Sequence, residues 1–233
     1  MKVSKTLETI SKLSDLMLDE ERLFFSRFGD GDINIMSGMN DMLHDYSKEL
    51  SKELVESISV NDRRYLIGVA ANYEMEEHMR PGLFAPFSYN DRLAKTVTNF
   101  TGKKEFESAV PFHYAYVFHR DIFDKFVEDH IKGKRIMYIG CTKKENMEKV
   151  FGEIEFFVET PSNNSYSSIN EWWPRVEEDV RSAEIVLPCS GMSSRVINKR
   201  LWDMEVNVKS LDVGSVVDAI DGKNTRKWIA LSQ

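Results

Sequence analysis

Cysteine is nearly absent: Cys141 and Cys189 are the only thiols in 233 residues. Their spacing fits no zinc pattern, and two distant thiols read as reduced and mostly buried. An excess of positive charge is missing too. Thirty-one Lys and Arg stand against 38 Asp and Glu, a formal net charge of −7. Nonspecific binding to nucleic acid needs a basic surface, so that class of partner is not expected, although a local basic pocket for a phosphate remains compatible. No apolar run approaches the ~18 residues of a membrane span. No basic start followed by an apolar stretch marks a secretory signal. The chain therefore reads as cytoplasmic, with peripheral contact with a membrane still open. Internal repeats, low-complexity tracts and long linkers are also lacking.

Hydrophobic residues make up 42% and charged residues 30%, which implies a packed core. The length suits one α/β domain over 1–233, with extra helices in the first part of the chain. Leu7, Ile10, Leu13 and Met17 recur at helical spacing. Leu23, Phe24 and Phe25 lead into a short strand. Met42, Tyr46, Leu50, Leu54 and Ile58 step by four, predicting one helix over 41–58. Residues 65–70 (YLIGVA) read as a buried strand, 72–88 as a loop or lid broken by Pro81, Gly82 and Pro86, and 91–101 as a helix ending at Gly102. Residues 114–118 (YAYVF) read as a strand, with a helix over 120–131.

The second half alternates regularly. Strands are expected at 135–139, 154–158, 184–187 and within 206–213. Helices are expected at 143–150, 173–182 (Pro174 in the first turn) and 194–204. Alternating strands and helices predict a mostly parallel, Rossmann-like sheet with helices on both faces. In such sheets ligands bind beyond the carboxyl ends of the strands.

Four loops at strand ends carry polar chemistry. The first is Gly29-Asp30-Gly31-Asp32. On an extended backbone, residues two apart share a side, so Asp30 and Asp32 could both reach one hard cation. Gly29 and Gly31 would let a diphosphate approach the backbone. The same residues also suit a solvated turn. Arg27 stands beside them, to meet the diphosphate or to orient a carboxylate. The second loop, 188–194, offers N–H groups and hydroxyls at Ser190, Gly191 and Ser193 for phosphate or ribose; a plain turn with a serine cap is the alternative. Arg195, in the following helix, could add charge or lie on the surface. The third, 160–166, offers Asn163, Asn164 and Tyr166 to a base. The fourth is His119-Arg120, where the Arg120 fork suits phosphate oxygens. His113 is expected at the opposite end of its strand.

Taken together these residues are recognisable. Arg27-Phe28-Gly29-Asp30-Gly31-Asp32, followed by Ile35 and Gly38, resembles the R-F-G-D-G-E signature of the GT-D type of bacterial glycosyltransferases. Leu211-Asp212-Val213-Gly214-Ser215, followed by Arg226-Lys227-Trp228, is similar to that family's closing D-[IV]-G segment. The Phe118-Arg120, Asn163-Tyr166 and Leu187-Gly191 stretches fall where the family carries an arginine and two substrate loops. The resemblance implies transfer of a sugar, glucose or a similar hexose, from a UDP-sugar to a glycan or glycosylated acceptor. It also implies Mn²⁺ or Mg²⁺ at Asp30 and Asp32. Two departures stand out: Asp32 replaces the usual Glu, and Ser215 stands where many members have His. Asp212 is a candidate base or a helix cap. A metal-dependent phosphohydrolase and a non-catalytic nucleotide-sugar-binding protein are the rival readings.

Overall fold

The computed structural model describes residues 2–70, 91–103 and 105–232. The expected lid at 72–88 lies outside them. In chain order the elements are β1 (Lys2–Val3), α1 (Thr6–Asp19), β2 (Leu23–Phe28), α2 (Asp30–Met36), α3 (Lys48–Ile58), β3 (Tyr65–Val69), α4 (Asp91–Thr101) and β4 (Glu105–Ser108). Then come α5 (Pro111–Phe118), α6 (Arg120–His130), β5 (Ile136–Gly140), α7 (Lys144–Phe151), β6 (Ile154–Glu159), α8 (Ile169–Asp179), β7 (Ile185–Cys189), α9 (Ser193–Asp203), β8 (Lys209–Leu211) and α10 (Val216–Ile220). The eight strands form one sheet in the order β1-β4-β3-β2-β8-β7-β5-β6. Every neighbouring pair is parallel.

Strand β2 shows how the sheet is built. Side chains alternate between faces, so Phe24 and Phe28 join one core and Leu23 and Phe25 the other. All four are fully buried, each worth about 1.5–3 kcal/mol of burial. Helices α3, α8 and α9 cover the first face through Leu50, Leu54, Trp172, Val176, Ile197 and Leu201. Helices α1, α5, α6, α7 and α10 cover the second, with Leu13, Phe112, Phe126, Phe151 and Val216 among their buried residues.

The chain leaves β2 onto the first face and leaves the adjacent β8 onto the second. The carboxyl ends of β2 and β8 therefore form the topological switch point, where open parallel sheets leave a crevice.

Several expectations need correction. YAYVF is not a strand but most of α5, which opens with Pro111 at its first turn. Its residues Pro111 to Ala115 are all buried, and a helix surrounded by protein carries no polar face to announce it. Helix α3 begins only at Lys48, where the Ser47 hydroxyl caps the Leu50 N–H at 3.0 Å. Met42 and Tyr46, expected on its apolar stripe, are exposed. Helix α8 starts four residues before Trp173, so Pro174 lies inside it rather than in its first turn. Strands β1 and β4, not expected at all, extend one edge of the sheet.

Candidate active site

At the switch point four charged side chains alternate in sign. Arg27 Nη2 lies 3.1 Å from Asp212 Oδ1, Asp212 Oδ2 lies 3.2 Å from Arg195 Nη1, and Arg195 Nη2 donates to Asp32 Oδ2 at 3.2 Å. The Asp212–Arg195 pair is a charge contact without a hydrogen bond, because Oδ2 has no donor aligned on it. All four are nearly buried: Asp212 is 1% exposed, Asp32 3% and Arg195 9%, while the Arg27 side chain is 12% exposed. Arg195 is presented from α9 on the first face, and Arg27 points from β2 to the second. Asp212, just past β8 at the sheet edge, joins the two.

Each side chain is held further. Arg27 Nη1 donates to the Ala109 carbonyl at 2.9 Å and lies 3.4 Å from His113 Nε2, which in turn contacts Ser215 Oγ at 3.1 Å. Gly214, at φ +60°, passes so close to the Arg27 guanidinium that no Cβ would fit there. Asp32 Oδ2 also accepts the Gly29 N–H at 2.8 Å, and Arg195 Nη1 donates to the Gly191 carbonyl at 2.6 Å. Burial pushes the Asp32 carboxyl above its usual range; Arg195 and the Gly29 N–H pull it back only in part. Burial, with Arg27 and Arg226 nearby, holds His113 well below the usual histidine range, so its ring is neutral.

The placement of the expected residues is mixed. Arg27, Gly29, Asp32 and Asp212 converge. Asp30 is exposed at the rim. Asp30 and Asp32 are the first and third residues of α2, not of an extended segment, so they project about 200° apart around the helix axis rather than to one side. The space above Gly31 is not open either: a Cβ there would lie 2.7 Å from Met192 and 2.8 Å from Asp41. A Cβ at Gly191, which has φ +61°, would lie 2.8 Å from His44 Nε2.

Other residues stand apart from this cluster. Arg120 opens α6 instead of ending a strand, pairs with Asp124 at 2.8 Å and lies over the Tyr116 ring. Ser190 and Ser193 are buried in a hydroxyl network with Thr160 and Ser165 that ties β6 and β7 together. The Tyr166 hydroxyl donates to Glu53 at 2.7 Å. Asn163 is exposed, and Asn164 clamps the loop after α2.

Sequence reasoning left Arg195 between an added charge and the surface, put His113 at the opposite end of a strand, and did not single out His44. Arg195 and Asn198 lie three apart on α9, in phase with its buried residues Val196, Ile197 and Leu201. Charge set into an apolar stripe was the available signal. His113 is not at the far end of a strand; α5 carries it against Arg27.

A doubly wound parallel sheet with buried arginines and carboxylates at its switch point has the architecture of enzymes that bind phosphorylated ligands there. The family model for the glycosyltransferase GT-D fold matches residues 25–221, and the chain belongs to that family. It is a glycosyltransferase.

Solved structures agree on the fold. A new glycosyltransferase (DUF1792) from Streptococcus sanguinis is similar with a TM-score of 0.74 and 17% identity, covering 94% of this chain and 82% of its own. A second, of the conserved domain of unknown function 1792 and described as a distinct glycosyltransferase fold, gives 0.67 and 18%, covering 94% and 79%. A selenomethionine-substituted structure of domain 1792 gives 0.69 and 18%, again covering 94% and 79%. No curated protein matches in sequence. Among the described residues, no helix is long and apolar enough to cross a membrane.

Proposed function

We propose that this transferase moves a hexose, such as glucose, from a UDP-sugar to a hydroxyl of a glycan or glycosylated acceptor, with the donor diphosphate held in the switch-point crevice. One observation carries the reading. Buried polar atoms without a hydrogen-bond partner are rare in folded proteins. Four side chains that carry one, Arg27 (Nε), Asp32 (Oδ1), Arg195 (Nε) and Asp212 (Oδ2), gather at this switch point. Arg27 and Arg195 supply planar guanidinium groups that suit phosphate oxygens.

The family resemblance also implies Mn²⁺ or Mg²⁺. Among the described residues no group of three or more acidic, histidine or cysteine side chains gathers into a full cage. Such ions commonly use only one or two carboxylates, with phosphate and water filling the rest of the shell. Asp32 fits that demand through its unpartnered Oδ1; Asp30, exposed and turned away around α2, does not face the same point. A bound ion would offset the negative charge of the departing diphosphate. The chain's own residues do the remainder: Arg27 and Arg195 orient the diphosphate, and Asp212 keeps both in place.

Calorimetric titration with UDP tests this, with Mn²⁺ and again with EDTA. The expected result is binding that needs the metal and is lost in Asp32→Asn. Equal UDP binding in EDTA removes the metal from the proposal. No UDP binding in either buffer removes the UDP-sugar.

A further inference from the structure

Transfer to a hydroxyl needs a group to take its proton, and most titratable groups at the crevice are committed. Asp32 and Asp212 are each bound to arginine. His113 contacts Arg27 and Ser215. Asp30 faces solvent on the rim.

His44 differs. It lies in the segment between α2 and α3, which the chain folds back over the site. The Asp41 N–H donates to the His44 carbonyl at 2.9 Å, and the Tyr46 N–H to Asn40 Oδ1 at 2.9 Å. Asn164, held at φ +49°, straps the segment from the other side. Its N–H donates to the Leu43 carbonyl at 3.1 Å, and its side chain exchanges two hydrogen bonds with Asp45 at 2.8 and 2.9 Å. This strap lays the imidazole on Gly191, whose carbonyl accepts from Arg195. His44 is 4% exposed, and its Nδ1 has no partner. A buried, uncommitted imidazole nitrogen beside a ligand crevice is costly unless a ligand uses it.

The outer side of the same segment is apolar. Met39, Met42, Leu43 and Tyr46 are four of the six exposed large hydrophobic side chains among the described residues. An acceptor seated on this rim would meet His44 first, with the diphosphate against the arginines.

We propose that His44 is the general base of the transfer. The unprotonated nitrogen of its imidazole takes the proton of the acceptor hydroxyl as that oxygen bonds to the anomeric carbon. The bond from that carbon to the diphosphate oxygen breaks, and its electron pair leaves with the diphosphate. Displacement in this sense inverts the anomeric centre. The inference rests on the UDP-sugar reading above.

The charged groups facing His44 are Asp41 and Asp45 from its own segment and Arg195 from α9. Burial lowers its proton affinity and Arg195 adds to that, against the two aspartates, so the ring lies below the usual histidine range and is neutral at pH 7.

The experiment measures UDP release from UDP-glucose, UDP-galactose and UDP-N-acetylglucosamine with Mn²⁺ and water as acceptor. It compares wild type, His44→Gln and His44→Ala, the last with and without added imidazole. UDP affinity is measured alongside by calorimetry. Both variants should bind UDP within about threefold of wild type yet turn over some 10²–10⁴-fold more slowly. The wild-type rate should rise with pH to a plateau, with a midpoint below 6.5; His44→Gln should lack that rise, and imidazole should restore part of the His44→Ala rate. Wild-type turnover in His44→Gln overturns the assignment. Loss with no imidazole rescue and an unchanged pH profile also overturns it, leaving His44 a positioning residue. UDP binding without any release by the wild type counts against a poised base. Neither binding nor release overturns the UDP-sugar reading and the inference with it.

Discussion

Strand β2 has an arginine at each end, and the two live in different chemistry. Arg22, just before the strand, lies 3.9 Å over the Trp202 ring, 5.4 Å over Phe24, and donates to the Trp202 carbonyl. Beside it Arg64 forks onto Asp62 with two side-chain bonds of 2.9 and 2.8 Å, both partners partly exposed. Cavities open at this amino-terminal edge: one of about 500 Å³ is lined by Arg22, Arg64 and Glu205, and one of about 700 Å³ by Lys2, Lys12, Arg63 and Glu105. Arg27, at the other end, enters a chain of buried charges that includes Arg195 from the opposite face of the sheet. Room for a ligand is plentiful at the first edge. Arg22 Nε is buried without a partner at the first, but such atoms gather at the second. The proposed function is placed at the second, because an exposed pair is satisfied by water whereas a buried unpaired atom is stable only with a partner.

The contrast can be broken by mutation. Asp212→Ala should have the largest effect, because both Arg27 and Arg195 lose a buried counter-charge. A loss of about 3–5 kcal/mol is expected in urea denaturation, since one broken buried pair already costs that much. Gly214→Ala comes next: a Cβ at φ +60° meets the Arg27 guanidinium, for a cost of about 1–3 kcal/mol together with weakened UDP binding by calorimetry. Ser215→Ala removes a single hydrogen bond to a neutral His113, so about 1 kcal/mol of stability should go.

Asp62→Asn, at the other edge, should be the mildest, at most about 1 kcal/mol, because its pair with Arg64 is screened by water. It also has a pH signature. Arg64 lowers the Asp62 pKa to about 2 from 3.8. A lowered carboxylate contributes stability above the unfolded value and loses it as pH falls through the folded one. The difference between wild type and Asp62→Asn should therefore be present at pH 6 and shrink from pH 4 to pH 2. If Asp62→Asn costs as much as Asp212→Ala, the contrast between the edges fails.

The half of the fold from β5 to β8 was readable because parallel strands covered on both faces appear as short apolar runs between helices. Strand β4 was not readable: four residues become a strand only by lying beside β3. Helix α5 defeated the reading because its polar face is missing. At the site, Arg27, Asp32 and Asp212 were legible from their position at strand ends. Arg195 was left open between site and surface and His113 was put at the wrong end, because their place depends on which face each helix packs. His44 was hidden in a segment whose methionine and tyrosine spacing imitates a helix while the chain turns back on itself. The glycine–aspartate stretch stood out by its residue types, but its geometry is helical, so only Asp32 of the pair looks inward.

The central claim is that the buried arginine, and not merely positive charge on α9, holds the donor diphosphate. Arg195 and Arg200 lie five residues apart on that helix, the first in the crevice and the second forked onto Glu53 at 2.8 Å. The measurement is calorimetric UDP affinity, with Mn²⁺, for Arg195→Lys and Arg200→Lys. Lysine keeps the charge and loses the fork. The account predicts UDP binding about 10-fold or more weaker in Arg195→Lys, from the loss of a charged hydrogen bond worth about 1.5–3 kcal/mol, and wild-type affinity in Arg200→Lys. Wild-type affinity in Arg195→Lys, or an equal loss in both, would contradict it.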